Sequence, residues 1–271
     1  SDELRIAQEV VELCGKLPLT LAIAGGMISD NPDGFTDDVV ELMKEDRLRE
    51  QEDEDEMTLE ERVIASSLKM IKGKNKDLVL SIFKFFAVFP EDVPVPAGVF
   101  NVFASMLTGE KKEKKAKMTV GNCLGMLLKY NLIKGALASG QGVLMHDIVR
   151  DYVINQHSEE ELRAQQRTVV NTILAARPET GFQSSQFVAA SSFEGYVARS
   201  GFHHMRAALE EDEAPPDEWF THMDNAIKIN AAMAYAKSGI GSLIALSEER
   251  EAAGELVRAA YVSASMYYLK G

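Results

Sequence analysis

The chain has 271 residues, about twice the length of a typical domain, so we expect two or three domains. Asp and Glu outnumber Lys and Arg by 42 to 29, and the net charge of −13 disfavours nucleic acid or an anionic membrane as the main partner. Hydrophobic residues account for 46% of the chain, which is too many for a disordered protein.

Cysteine content and hydropathy indicate a cytoplasmic protein that does not cross a membrane. The two cysteines, Cys14 and Cys123, lie in apolar helical stretches, so we expect buried thiols in a reducing compartment. The longest apolar stretch, residues 17–28, is shorter than the roughly 20 residues that a membrane-spanning helix needs. A helical pattern already runs at Leu4 in a chain that begins with Ser1, which favours a fragment of a longer polypeptide.

Residues 1–50 are predicted to form the end of a small helical domain. Apolar residues at helical spacing predict a first helix that ends at Gly15, and Leu17-Pro18 opens a second, wholly apolar helix that ends near Ile28. A short helix over 37–47 runs into an acidic stretch, 45–61, that we expect to be a solvated linker. This stretch and a second one at 210–218 together carry a charge of −14, so the rest of the chain is close to neutral.

Residues 51–157 show the order of elements of a winged-helix domain, in which helices precede a small β-hairpin. Thr58 and Glu61 have the spacing of a capping box at the start of a helix. The elements that follow are predicted as helices over 78–89, 97–107 and 118–130, a loop that contains the lysine-rich run 111–117, and strands over 132–134 and 142–145.

After Asp147, every predicted element of regular secondary structure is a helix. The first two helices cover 148–155 and 160–176, and a loop over 177–186 follows. Further helices are predicted at 192–210, 217–236, 238–247 and 249–269. Paired amphipathic helices of this kind indicate a repeat-like domain over 158–271. The predicted fold class is therefore mainly α: a small helical subdomain, a winged-helix domain with a short β-hairpin, and a helical repeat-like domain.

The sequence lacks the common catalytic motifs. It contains no phosphate-loop pattern, no HExxH pair, no paired CxxC and no GxSxG nucleophile elbow. His203, His204 and His222 have no cysteine or acidic partner at metal-ligand spacing, so we expect ordinary helix residues there. We assign the chain no catalytic residue, no metal site and no enzyme activity of its own.

A winged helix raises the question of DNA binding, because related folds place one helix in the major groove. The candidate helix, residues 118–130, contains only Lys129 as a cation, which is typical of a packing helix. The lysine-rich run offers phosphate contacts, but charge runs in loops are usually solvated. Two alternatives stay open: a DNA-binding transcription regulator, and a helical-repeat scaffold that binds a protein through residues 190–271.

Three short motifs are more specific. The stretch from Cys14 to Leu21, CGKLPLTL, resembles the GLPLAL motif of the NB-ARC signalling ATPases of the STAND class, which include plant disease-resistance receptors and apoptotic protease-activating factors. Phe89-Pro90-Glu91-Asp92 resembles the FPED segment of their winged-helix domain, and Met145-His146-Asp147 resembles their MHD motif. The three follow one another in the order of the family. A looser similarity to the apoptotic members covers residues 196–208.

The resemblance implies a regulatory fragment of a nucleotide-dependent switch in immune or cell-death signalling. Pro18 is then expected to pack against the adenine of ADP or ATP, and His146 to contact the β-phosphate of ADP. Asp147 is expected to cap the following helix and orient His146, and Lys16 to add positive character. The phosphate loop and the Mg²⁺ ligands would precede Ser1 in an upstream nucleotide-binding domain, and activation would bring homo-oligomerisation and protein partners bound by the helical array.

Overall fold

The computed structural model describes residues 2–30, 39–44, 57–138, 140–176 and 191–210. Over these residues the fold is mainly helical with one small antiparallel sheet. The elements are α1 (Asp2–Leu13), α2 (Pro18–Asp30), α3 (Leu59–Met70), α4 (Lys76–Phe85), a 3₁₀ turn (Phe86–Val88), α5 (Ala97–Thr108), α6 (Glu113–Lys129), β1 (Ile133–Ala136), β2 (Gly142–Met145), α7 (Asp147–Ile154), α8 (Glu159–Ala175) and α9 (Phe193–Ala207). Residues 39–44 are also helical. Among the described helices, none has the length and apolar character needed to cross a membrane.

A tight turn at Gly15 joins α1 to α2. Gly15 has a φ of +58°, and a Cβ atom there would overlap the side chain of Leu59 in α3. Pro18 begins α2, as predicted, at a position where the missing N–H leaves no hydrogen bond unmade. The two helices and the turn between them supply core residues Ile6, Val10, Cys14, Ile23, Ala24 and Met27. Both predicted helices are thus confirmed.

The middle of α2 lies against the C-terminal end of α6. A Cβ atom on Gly26 would lie 2.6 Å from the carbonyl oxygen of Lys129, so only glycine fits. Just beyond α6, Asn131 has a φ of +55° and donates from Nδ2 to the carbonyl of Ala22 at 2.7 Å. None of the described residues comes within 4 Å of a Cβ position on the neighbouring Gly25. The close approach of α2 to the end of α6 therefore requires glycine at position 26 but not at position 25.

Capping boxes begin α3 and α8. The Thr58 N–H donates to Glu61 Oε2 at 2.8 Å, and the Glu61 N–H donates to Thr58 Oγ1 at 3.2 Å. Ser158 and Glu161 form the same pair of bonds, at 2.8 Å and 3.2 Å. Each cap stabilises its helix by about 1 kcal/mol. The predicted helix start at Thr58 is confirmed.

Phenylalanine side chains fill the core between α4, the 3₁₀ turn and α5. Phe85 packs edge-to-face against Phe103, with ring centroids 5.9 Å apart. The prediction of one helix over 78–89 is wrong at its end, because α4 stops at Phe85 and a 3₁₀ turn follows. Phe89 is extended, with φ −81° and ψ 144°, as the residue before Pro90 is forced out of the helical region.

Most of the lysine-rich run belongs to α6, so the prediction of a loop there is wrong. The helix begins at Glu113 rather than at Met118. The Glu113 carboxylate lies in the first turn, where it interacts favourably with the positive end of the helix dipole. Lys117, one turn later, forms an ion pair with it. Lys115 pairs with Glu110. These local charge pairs extend the helix into the run.

The two predicted strands form an antiparallel hairpin, in which Ile133 lies opposite Met145. A further bridge joins Val95 to Val143, with N–O distances of 2.8 Å and 3.0 Å. Gly142 permits this approach, because its φ is +82° and a Cβ atom there would lie 2.8 Å from the Val95 carbonyl oxygen. The hairpin is thereby tied to the segment that leads into α5.

The last described helices, α8 and α9, pack against each other and against α5. Gly98 in α5 lies close to the start of α9, where a Cβ atom would stand 3.2 Å from the Phe193 nitrogen. The predicted loop over 177–186 and the predicted helices at 217–236, 238–247 and 249–269 lie outside the described residues. The predicted helix at 192–210 is confirmed as α9.

Candidate functional site

His146 directly follows β2 and is the N-cap residue of α7. Its backbone is extended, with φ −71° and ψ 145°, and Asp147 is the first helical residue. The expectation that Asp147 caps the helix is therefore wrong, because the cap is the last residue before helical backbone begins. Asp147 is exposed, and its carboxylate lies in the first turn, where it interacts favourably with the positive end of the helix dipole.

The imidazole of His146 has an unsatisfied nitrogen. The residue is half-buried, and within the described residues its Nδ1 is shielded from solvent without a hydrogen-bond partner. A buried polar atom left unpaired costs free energy, and a ligand or a neighbouring domain would supply its partner once the ring turned towards it. The ring also makes no hydrogen bond to the first turn of α7. An imidazole beside a helix N-terminus fits a phosphate group.

Pro18 is exposed at the first position of α2. The turn that presents it contains two successive left-handed residues, Gly15 at φ +58° and Lys16 at φ +62°. Leu17, the residue before it, is also 37% exposed although apolar. Pro18 and Leu17 therefore form a small apolar surface, and Pro18 has no backbone N–H. A surface of this kind suits the face of a planar ring.

A buried threonine holds this turn in place. Thr20 Oγ1 lies 2.7 Å from the carbonyl oxygen of Cys14 and 2.9 Å from that of Leu17. The Cys14 thiol donates to the Thr20 carbonyl at 3.6 Å. Burial raises the pKa of Cys14 to about 11, so the thiol stays protonated and acts as a packing group. The expected burial of Cys14 and Cys123 is confirmed, whereas the role of Thr20 was missed by the sequence analysis.

Pro18 and His146 lie on two helices that share a neighbour. Both α2 and α7 pack against α3. Lys16, expected to add positive character near Pro18, forms an ion pair with Glu12 at 3.0 Å, and both side chains are largely exposed. Its charge is therefore partly balanced, and the unpaired nitrogen of His146 is the stronger recognition feature.

The Phe89-Pro90 segment lies between α7 and α9. Arg150, one turn after His146, donates from Nε to the Phe89 carbonyl at 3.4 Å. On the other side, the Phe89 ring packs edge-on against the rings of Tyr196 and His204, with centroids 6.2 Å and 6.3 Å away. The helix that carries His146 is thus connected to α9 through a single residue of the FPED segment.

A buried hydrogen-bonded chain connects α9, α8 and the 3₁₀ turn. His204 Nε2 lies 2.7 Å from the Tyr196 hydroxyl, His204 Nδ1 lies 2.7 Å from Gln166 Oε1, and Gln166 Nε2 donates to the Val88 carbonyl at 2.7 Å. Because Gln166 Oε1 can only accept, Nδ1 of His204 carries the proton and Nε2 accepts from Tyr196. All three side chains are buried. Both nitrogens of His204 are therefore used inside the fold.

The protonation states of His204 and Tyr196 agree with a hydrogen bond donated by the Tyr196 hydroxyl to His204. Burial, reinforced by the neighbouring His203, lowers the pKa of His204 to about 3, so the ring is neutral. Burial also raises the pKa of the Tyr196 hydroxyl, which keeps it a donor. Within the described ranges, no group of three or more His, Cys, Asp and Glu side chains is placed to hold a metal ion. No sequence pattern marks this chain of bonds, since its partners are far apart along the sequence.

The chain matches no protein-family model, no curated protein and no solved structure.

Proposed function

We propose that the chain is a regulatory part of an NB-ARC-type nucleotide switch, which contributes ADP contacts to a nucleotide-binding domain located upstream in the same polypeptide. The observation that carries the proposal is His146: it stands at the N-terminus of α7, and its shielded ring nitrogen has no partner among the residues that the structure describes. The exposed Pro18 at the start of α2 supports it. The three motifs named above occur in the order that the resemblance requires.

The order of elements supports a winged-helix assignment for 51–157. Helices α4, α5 and α6 precede the β1–β2 hairpin, and α7 follows it. Residues 1–50 would then be the end of the small helical domain. Residues 158–271 would form the helical repeat-like domain, which offers a surface for protein partners.

In this proposal His146 and Pro18 hold the two ends of ADP. Pro18 packs against the adenine, and the His146 imidazole donates to the β-phosphate beside the N–H groups of α7. ADP contributes the negative charge that these donors attract. Loss of the His146 contact frees α7 and the hairpin, which favours the open, homo-oligomeric state. The chain itself carries out no hydrolysis, and it acts in the cytoplasm in immune or cell-death signalling.

DNA binding is the weaker alternative. Two lysines of the lysine-rich run, Lys115 and Lys117, are paired with carboxylates of the same segment. The solvent face of α6 presents Met118, which is 63% exposed, along its middle, and its exposed lysines lie at the two ends of the helix. A helix of this kind offers few contacts to phosphates. A gel-shift series at low salt that shows salt-dependent binding to duplex DNA would favour the alternative.

The coding sequence upstream of Ser1 gives the first test. The proposal predicts a phosphate-loop pattern, GxxxxGK[ST], within about two hundred residues before Ser1, the length of one further domain. A metal-binding acidic residue at the end of a later strand should accompany it. An upstream sequence that encodes neither feature contradicts the proposal.

A further inference from the structure

Leu4 on α1 and Met118 on α6 are the most exposed large apolar side chains among the described residues. Leu4 is 60% exposed and Met118 is 63% exposed, whereas the next residues of this kind are 38% exposed. Single exposed apolar side chains are common, so their meaning depends on the surface around them. The surfaces around these two residues carry opposite charges.

The solvent face of α6 is apolar in its middle and basic at its ends. Gly121 and Gly125 follow Met118 on this face, and a Cβ atom on either glycine would meet none of the described residues within 4 Å. Lys114 and Lys129 are exposed at the two ends. Because glycine has no side chain, another helix can approach the middle of this face closely.

The solvent face of α1 has a similar apolar middle with acidic ends. Val11 is 37% exposed and lies two turns after Leu4 on the same side of the helix. Glu3 precedes Leu4, Glu12 follows Val11, and both glutamates are exposed. Glu12 pairs with Lys16 at 3.0 Å, but both side chains are largely exposed, and a solvated pair of this kind exchanges partners at little cost in free energy.

We propose that α1 of one copy of this chain packs antiparallel on the solvent face of α6 of a second copy. Seven residues, or about 10 Å along a helix, separate Leu4 from Val11 and also Met118 from Gly125, so the two apolar sections match in length. The antiparallel orientation places Leu4 over Gly125, where there is space for its side chain. The smaller Val11 then lies beside Met118.

Charge decides which helices pair. In the antiparallel orientation Glu12 lies beside Lys114 and Glu3 lies beside Lys129, so opposite charges meet at both ends of the contact. Two α6 faces would bring lysines together, and two α1 faces would bring glutamates together. The charges of the described residues therefore favour α1 with α6 over either helix with its own equivalent.

The contact is heterologous, because its two surfaces belong to different helices. A pair of copies leaves one α1 face and one α6 face free, so association continues to a ring or a filament. A contact two turns long is smaller than the roughly 800 Å² per partner of a stable interface, so we expect weak association of the isolated chain. Neither Pro18 nor His146 takes part, so the proposal is independent of nucleotide binding.

Cysteine crosslinking between copies tests the pairing. The native thiols of Cys14 and Cys123 are buried, so Val11→Cys and Met118→Cys each add one accessible thiol, and the two positions are neighbours in the proposed contact. Isotope labelling of one variant identifies mixed dimers by mass. With a short bismaleimide, an equimolar mixture should give about fivefold more mixed dimer than Met118→Cys gives with the control Lys74→Cys, whose thiol lies on an exposed turn.

Charge reversal gives a second readout with its own rescue. Lys114→Glu in the Met118→Cys copy, or Glu12→Lys in the Val11→Cys copy, should lower the yield of mixed dimer about threefold, because like charges then meet. The two reversals together should restore the yield that the original charges give. All four substituted residues are exposed, so each variant should keep its fold.

Three results would overturn the proposal. One is a mixture that gives no more mixed dimer than the Lys74→Cys control. Another is a dimer of Met118→Cys with itself that is as abundant as the mixed dimer, which would indicate pairing of two α6 faces. The third is a yield that the charge reversals do not lower singly or do not restore in combination.

Discussion

The Tyr196 hydroxyl donates a hydrogen bond to His204 Nε2 at 2.7 Å. Both residues belong to α9, and both side chains are buried. The same imidazole donates from Nδ1 to Gln166, which in turn donates to the Val88 carbonyl just before Phe89. Every polar atom on this path thus has a partner. A fully satisfied buried chain of this kind fixes α8 and α9 in one orientation relative to the phenylalanine-rich core.

Tyr196→Phe should destabilise the protein by about 1–3 kcal/mol. The change removes the only donor that His204 Nε2 has on this path and leaves a buried acceptor unpaired. Denaturant unfolding of the purified chain measures the difference. Thr168→Val is the control, because the exposed Thr168 hydroxyl donates to the Ala164 carbonyl of its own helix at 3.0 Å, and its loss leaves no buried atom unpaired. Equal losses in the two variants would contradict the account.

His204 should make stability depend on pH between about 6.5 and 3. Its pKa is lowered to about 3 in the folded chain and returns to its usual value near 6.5 on unfolding, so in this range only the unfolded chain takes up the proton. The contribution of His204 to the free energy of unfolding is complete above pH 6.5. It falls by at most about 1.4 kcal/mol per pH unit as the pH decreases. Burial, followed by the positive charges of Arg150 and Arg206, lowers the pKa of the neighbouring His203 as well.

The pH dependence is measured by unfolding the chain and His204→Gln in parallel at several pH values. Glutamine cannot titrate, so the free-energy difference between the two proteins should shrink as the pH falls from 6.5 towards 3. Carboxylates titrate in both proteins and cancel in the comparison. A constant difference across this range would show that His204 is not held neutral by the fold.

Gly26→Ala and Gly25→Ala should have opposite effects although the residues are adjacent in α2. Alanine at 26 would bring Cβ within 2.6 Å of the Lys129 carbonyl oxygen, so we expect a loss of about 1–3 kcal/mol. A Cβ atom at position 25 contacts none of the residues placed by the structure, and alanine has the higher helix propensity, so we expect a gain of about 0.5–1 kcal/mol. Thermal unfolding of both variants measures this. Destabilisation by both changes would mean that α2 and α6 pack differently.

Thr58→Ala should cost about 1 kcal/mol by removing one half of the capping box of α3. Asn75→Ala offers a matched comparison, because Asn75 is the N-cap residue of α4 but makes no side-chain cap bond. Its replacement should change stability by less than about 0.5 kcal/mol. Both values come from denaturant unfolding, and a larger loss for Asn75→Ala would be inconsistent with the capping geometry.

Local signals predicted much of the fold, and contacts between distant residues account for what was missed. Thr58 with Glu61, and Gly15 followed by Pro18, correctly marked helix boundaries because capping involves neighbouring residues only. The start of α6 was predicted too late, because the lysine-rich run was assigned to a loop although Glu113 and Lys117 form an ion pair one helical turn apart. At the candidate site, the sequence singled out Pro18 and His146 but assigned the cap to Asp147. The bond from Gln166 to Val88 spans 78 residues and leaves no pattern in either segment.

The proposed switch is tested most directly by the nucleotide that copurifies with the polypeptide containing this chain and its upstream domain. We expect His146→Ala to retain about tenfold less ADP than the unmodified protein and to raise basal signalling, because a charge-assisted contact to the phosphate is lost. His157→Ala replaces another half-buried histidine, remote from α7's N-terminus in sequence, and should retain ADP normally. Equal ADP content in the unmodified protein and in His146→Ala would contradict the account.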